Sequence, residues 1–388
     1  MKKPFTILAT ILPVIAGCAG CSRSGALSDE IITVDVTAGY PAKELVLQDF
    51  MDVEYIPLET TEEFVTQDLV LDISRNRIIL RNHPEDGNIF IFDRNGKALK
   101  RINRKGQGTE EYTVYMRVAL DEDNGELFVN DRPRDRIVVY DMDGNFRRIL
   151  KQDEKVSFGY MYNLDNENLI CSKNRKEQRP FAVISRRDGS VTGEIQIPFK
   201  EGISTTVEFE MNGGTYTTGP DTYKPVIPCV DGLILTEESS DTVYMYRSGH
   251  RMTPVIVRTP PVESMAPRVF LFPSLFTGGY YFMDAVKTEI DLSKDEWFPT
   301  TRLVYDRQEK AIFRYTVYND DYTDRTPVMI DKSIPIMNGE IAACQSLDVG
   351  QLIEDYENGK LKGRLKEVAA GLDEESNPVI MLIKHKKP

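Results

Sequence analysis

Apolar residues in this chain fall into short runs separated by turn-forming residues. LVLDIS, RIILRN, NIFIFD and ALKRIN follow one another between residues 69 and 104, broken by Asn, Asp and Gly. Such runs predict β-strands joined by tight turns, with no helical stripe. A second set (MRVALD, ELFVND, RIVVYD, FRRILK) and a third (FGYMYNLD, NLICSK, FAVISR, GEIQIP) repeat the arrangement. The turn before the last strand of each set recurs too. Phe92-Asp93-Arg94-Asn95-Gly96 is matched by Tyr140-Asp141-Met142-Asp143-Gly144, Gly to Gly 48 residues on, and Arg187-Asp188-Gly189 follows 45 residues later. Repeats of this length, each of four strands, predict propeller blades.

Three further units are less regular. KPVIPC, LILTEE, TVYMYR and TPVIVR form a fourth, preceded by a Gly- and Thr-rich insertion at 212–220. RVFLFPSLF, GGYYFMDAV, RLVYD and IFRYTVY read as a fifth. The sixth shows SIPIM and EIAACQ, then a helical pattern over 347–370 broken near Gly350 and Gly359, with Gly371 as a C-cap. A final strand runs from Pro378 to Ile383, which leaves this unit short of its outer strand. An open edge is a pairing hazard, so the strand from Val53 to Leu58 is expected to close the ring. Ile31–Val36 reads as a short strand leading into the body. The expected fold class is an all-β, six-bladed propeller of four-stranded antiparallel blades, closed by an N-terminal strand, with a helical insertion in the last blade.

The N-terminus changes the picture of where the propeller works. Lys2 and Lys3 precede an apolar run, Phe5 to Ile15, that is too short to span a membrane. Ile15-Ala16-Gly17-Cys18 resembles the lipobox of bacterial lipoproteins, which implies removal of residues 1–17 and acylation of Cys18. Residues 18–28 read as a tether and 29–388 as the propeller body. The implied address is the cell envelope, lipid-anchored to a membrane, the outer membrane ahead of the inner. Several acyl chains anchor firmly where one is marginal.

Charge and cysteines narrow the rest. A net charge of −13 argues against a nucleic-acid partner, and 41% hydrophobic residues are enough for a large core. Cys171, Cys229 and Cys344 sit in apolar runs without metal-binding spacing and read as free thiols.

Gly106-Gln107-Gly108, Glu110-Glu111-Tyr112, ELFVND and YDMDG together resemble an NHL-type blade. From DVEYIPLET to Asn377-Pro378-Val379 the chain resembles the six-bladed propeller lipoproteins with NHL- or TolB-like blades. Thr109 stands where that family usually has Pro, which implies a less rigid loop. The resemblance implies a fold and leaves the activity open.

Propeller sites usually sit on the face that carries the blade-to-blade linkers and the second-to-third-strand loops. On that reading Tyr115, Arg117, Arg132, Arg134 and Tyr160 form a ligand-binding mouth, since Arg forks onto carboxylates and Tyr stacks on sugar rings. The competing reading pairs Arg132 and Arg134 with Asp131 and Asp135 on a solvated loop. Three scattered histidines, His83, His250 and His385, and no GxSxG, HExxH or P-loop motif give no catalytic residue, metal or cofactor to assign. The expected function is a membrane-anchored binding or scaffold protein, a monomer, whose partner is a glycan, a peptide or an envelope protein. The alternative is a lyase or hydrolase acting on carbohydrate.

Overall fold

In the computed structural model, residues 31–67, 69–83, 85–151, 158–173, 181–211, 213–247, 251–292, 296–330 and 335–386 are described. The expected signal peptide, Cys18 and the tether lie outside them, as does His250.

Six sheets form the ring. Blade 1 is Leu69–Ile73, Arg77–Arg81, Asn88–Asp93 and Ala98–Asn103, paired antiparallel in sequence order from inside to outside. Blade 2 spans Tyr115–Asp121 to Phe146–Lys151, and blade 3 Met161–Asn163 to Val191–Ile195. Blade 4 begins at Val226–Cys229 and ends at Arg251–Thr259, and blade 5 runs from Val269–Phe276 to Ala311–Tyr318.

The middle strands are buried along nearly their whole length, whereas Ala98–Asn103 buries little beyond Ile102. Each blade is stacked between two others, so its middle strands meet a neighbour on both faces. That is why RIILR and NIFIFD are continuous apolar runs and only the outer strand is polar.

The recurring glycine marks where one blade docks on the next. Gly96, Gly144 and Gly189 have φ of 85°, 82° and 82°, the left-handed region that Gly enters without a Cβ penalty. A Cβ on Gly144 would stand 2.9 Å from Ile102 of blade 1, and one on Gly189 2.9 Å from Leu150 of blade 2. On Gly96 of blade 1 it would meet the carbonyl oxygen of Pro57 at 2.0 Å. Pro57 ends the strand Met51–Pro57, which pairs antiparallel with Val379–His385. The N-terminal strand therefore stands where the outer strand of the preceding blade should be, and it closes the ring as expected.

Blade 6 contains Ile341–Leu347, Val379–His385 and that closing strand. Residues 335–337, at the end of SIPIM, form no strand. The insertion folds as two helices, Val349–Glu357 and Gly363–Ala369. Gly350 does not break the first: it lies one residue inside it, after Asp348 has capped the start through Gln351 N at 2.8 Å. The left-handed glycines are Gly359 and Gly363, φ 67° and 56°, and not Gly371.

Two N-terminal strands were not foreseen in their places. Ile32–Asp35 adds parallel to Arg251–Thr259 of blade 4, and Ala42–Val46 parallel to Ala311–Tyr318 of blade 5. The segment before the closing strand thus covers the outer edges of two blades in turn.

Candidate functional site

The inner strands of three blades carry a polar residue at or next to their last position: Asp72 in blade 1, Asp121 in blade 2 and Asn163 in blade 3. Together with turns from blades 4 and 6 they line a cavity of about 720 Å³ at one mouth of the central channel. Asp165, Asp231 and Asn338 complete its rim, with Arg75 and Arg247.

This mouth is held by cross-blade bonds. Asp72 accepts from the Leu120 amide of blade 2 at 2.8 Å and from Ile73 N at 2.9 Å, and its burial pushes the carboxyl up to about 6. Asn163 of blade 3 donates to Leu120 O at 2.9 Å. Arg186 Nη1 reaches Asp121 at 2.6 Å and Nη2 the Asn163 Oδ1 at 2.8 Å, all on one buried side of the cavity. Arg148 in turn donates to the Arg186 carbonyl at 2.7 Å. Buried charges persist only when paired in this way. A wall preorganised by such bonds can hold a ligand in one orientation.

The titratable groups at this mouth include a thiol as well as carboxylates. Cys229 lines it, but burial pushes its thiol up to about 11, away from the nucleophilic thiolate. No histidine lines it, and among the described residues no three His, Cys, Asp or Glu side chains are grouped to hold a metal ion.

The residues singled out from sequence lie toward the opposite end of the inner strands. Tyr115 is fully buried; its hydroxyl donates to Asn88 O, and its ring meets Tyr112 edge-on at 5.3 Å. Arg134 donates to the Gly108 and Gln107 carbonyls at 2.9 Å each and so staples the loop that carries Thr109. Arg132 is exposed on the same one-turn helix. Asp131 is bonded instead to Arg136, at 3.0 Å, and to Thr113. Arg117 and Tyr160 are brought together, the guanidinium 4.9 Å over the ring. Of the five, only this pair forms a contact between two inner-strand regions. Reasoning from the linker face missed Asp72, Asp121, Asn163 and Arg186. For the first three the signal was a polar residue recurring near the end of the first strand in units one to three, whereas Arg186, after a third strand, gave none.

A model of a family of six-bladed β-propellers, DUF5128, matches residues 22–334. The chain belongs to this family. Among solved structures it is similar to a Bacteroides fragilis protein described as exported, with 15% identity and a TM-score of 0.62 over 92% of this chain and 100% of that one. It is also similar to a DUF4221-family member from Bacteroides vulgatus, with 14% identity and a TM-score of 0.48 over 87% and 98% of the two chains. No curated protein of known function matches the chain. The shared architecture is the fold, and function has to be argued from the site.

Proposed function

We propose that this DUF5128 protein is an exported, lipid-anchored binding protein whose ligand enters the propeller at the cavity between the inner-strand turns. The observation that carries the reading is the cavity of about 720 Å³, walled by five of the six blades and braced by Arg186, Asp121, Asn163 and Asp72. Its size is that of a ligand pocket, and its charged and amide groups suit a polar ligand such as a glycan or a peptide terminus. The Ile15-Ala16-Gly17-Cys18 sequence supports the anchor, and the exported description of the Bacteroides fragilis relative agrees with that address.

Gly339 provides the test. It lines the cavity, and a Cβ there would meet nothing within 4 Å, so Gly339→Trp fills the mouth without disturbing the fold. Full-length protein extracted from its native membrane should carry a bound ligand in native mass spectrometry. The ligand should be absent from Gly339→Trp at unchanged thermal stability. Equal ligand in both proteins would remove the cavity from the account. Cys18→Ala should move the protein from the membrane to the soluble fraction; continued membrane partition would remove the anchor.

A further inference from the structure

Arg117 lies four residues before Asp121 on the inner strand of blade 2, roughly 13 Å from the cavity at the usual strand rise. Its guanidinium rests 4.9 Å over the ring of Tyr160 from blade 3, and among the described residues it makes no ion pair and no hydrogen bond. An arginine stacked this way has its plane fixed and its fork of N–H donors unmatched. In a chain with 61 acidic residues against 48 basic ones, an inner-strand guanidinium without a carboxylate is unexpected.

Its neighbours on blade 3 are two tyrosines. The ring of Tyr162 lies parallel to Tyr160, 3° apart in plane and 6.3 Å between centres. Tyr162 is only 5% exposed, and its hydroxyl has no hydrogen-bond partner among the described residues. Burying a hydroxyl without a partner is costly, so something outside the chain is expected to meet it. The charge that acts on it most strongly is Arg117. From blade 1, Arg81 holds a second guanidinium close enough to oppose Arg117, while donating to Tyr115 O at 3.1 Å. A fork of free donors beside a buried hydroxyl is complementary to an anion.

We propose that Arg117, Tyr160 and Tyr162 form a carboxylate-binding site in the channel, distinct from the cavity at the other mouth. The Arg117 fork takes the two carboxylate oxygens, Tyr160 holds the guanidinium plane, and the Tyr162 hydroxyl donates a third bond. Arg81 adds its charge from blade 1. A carboxylate, such as that of a uronic acid or an acidic side chain, presents two coplanar oxygens that match the fork.

Thermal unfolding of the full-length protein at constant ionic strength tests this with glucuronate, succinate, inorganic phosphate and neutral glucose as probes. Glucuronate and succinate should raise the midpoint and glucose should not. Arg117→Gln should abolish the shift. Tyr162→Phe, which keeps the ring, should weaken half-saturation by about tenfold, as expected for loss of one bond to a charged group. Arg117→Lys retains the charge without the fork and should bind no better than Arg117→Gln. It also serves if Arg117→Gln folds poorly. Stabilisation by phosphate alone, no response to any carboxylate, or an undiminished response in the Arg117 variants would overturn the assignment. Gly339→Trp leaves this site open, so failure here and failure of the cavity reading are separable.

Discussion

Gly96 shows how much of this fold rests on single residues. Its φ of 85° and its contact with Pro57 O leave no room for a side chain. Gly96→Ala should therefore cost several kcal/mol, from backbone strain of about 1–3 kcal/mol together with displacement of the closing strand. Gly125→Ala, at φ 63° with the nearest atom 3.9 Å away, should carry the strain alone. Urea unfolding of both variants checks the difference. Asn377 is a second such residue, 2% exposed, accepting from Thr66 N at 2.8 Å and donating to Glu59 O and Phe64 O at 2.8 and 2.7 Å. Asn377→Ala orphans two buried backbone groups, Thr66 N and Phe64 O, and frees Glu59 O between blade 6 and blade 1, and should destabilise by about 2–4 kcal/mol. Asp72 carries a pH dependence. Its carboxyl is raised from 3.8 to about 6, so the protonated form is favoured in the folded state. The stability it contributes is present below the unfolded value and is lost as pH rises through about 6. Relative to Asp72→Asn, the parent protein should lose on the order of 3 kcal/mol between pH 3.5 and pH 7.5. A difference that does not change with pH would contradict the burial argument.

At the scale of elements, the regular blades were legible in the sequence because their turns are chemically explicit. Asp93 bonds Asn95 N and Lys97 N at 2.8 and 2.9 Å, and Asp141 repeats the device with Asp143 N and Asn145 N. A local hydrogen-bond pattern of this kind is written in adjacent residues. The parallel strands Ile32–Asp35 and Ala42–Val46 were not legible in their places, because their partners lie more than 200 residues away. The closing strand was legible only through a deficit, the missing fourth strand of blade 6. Its attachment is reinforced by side chains: Tyr55 donates to Asp321 at 2.8 Å and accepts from Asn319 at 2.8 Å, and Gln48 reaches Asn319 at 2.6 Å. Deleting residues 29–58 should therefore abolish cooperative unfolding and cause aggregation, whereas deleting 19–28 should leave the melting curve unchanged. A monomeric, cooperatively folding 59–388 protein would contradict the closure.

For the whole molecule, the candidate site was the least legible part. The repeat pointed to a ring but did not say which face holds the cavity. The loop arginines chosen from composition are divided between structural and open positions. Arg134 is bound to carbonyls, Arg132 is exposed, and Arg117 stacks on Tyr160 of the next blade. Polar residues at a strand end look like ordinary turn formers until the ring brings them to one mouth. The central claim is that this mouth engages a partner in the envelope. The most direct measurement is photo-crosslinking in the native cell, with the reactive residue placed at Gly339 or at Gly202. Both positions are open, with nothing within 4 Å of a Cβ, but only Gly339 lines the cavity. The account predicts a defined adduct from position 339 that is missing from position 202 and is reduced when Asp121 and Arg186 are replaced. No adduct at 339, or the same adducts from both positions, would contradict it.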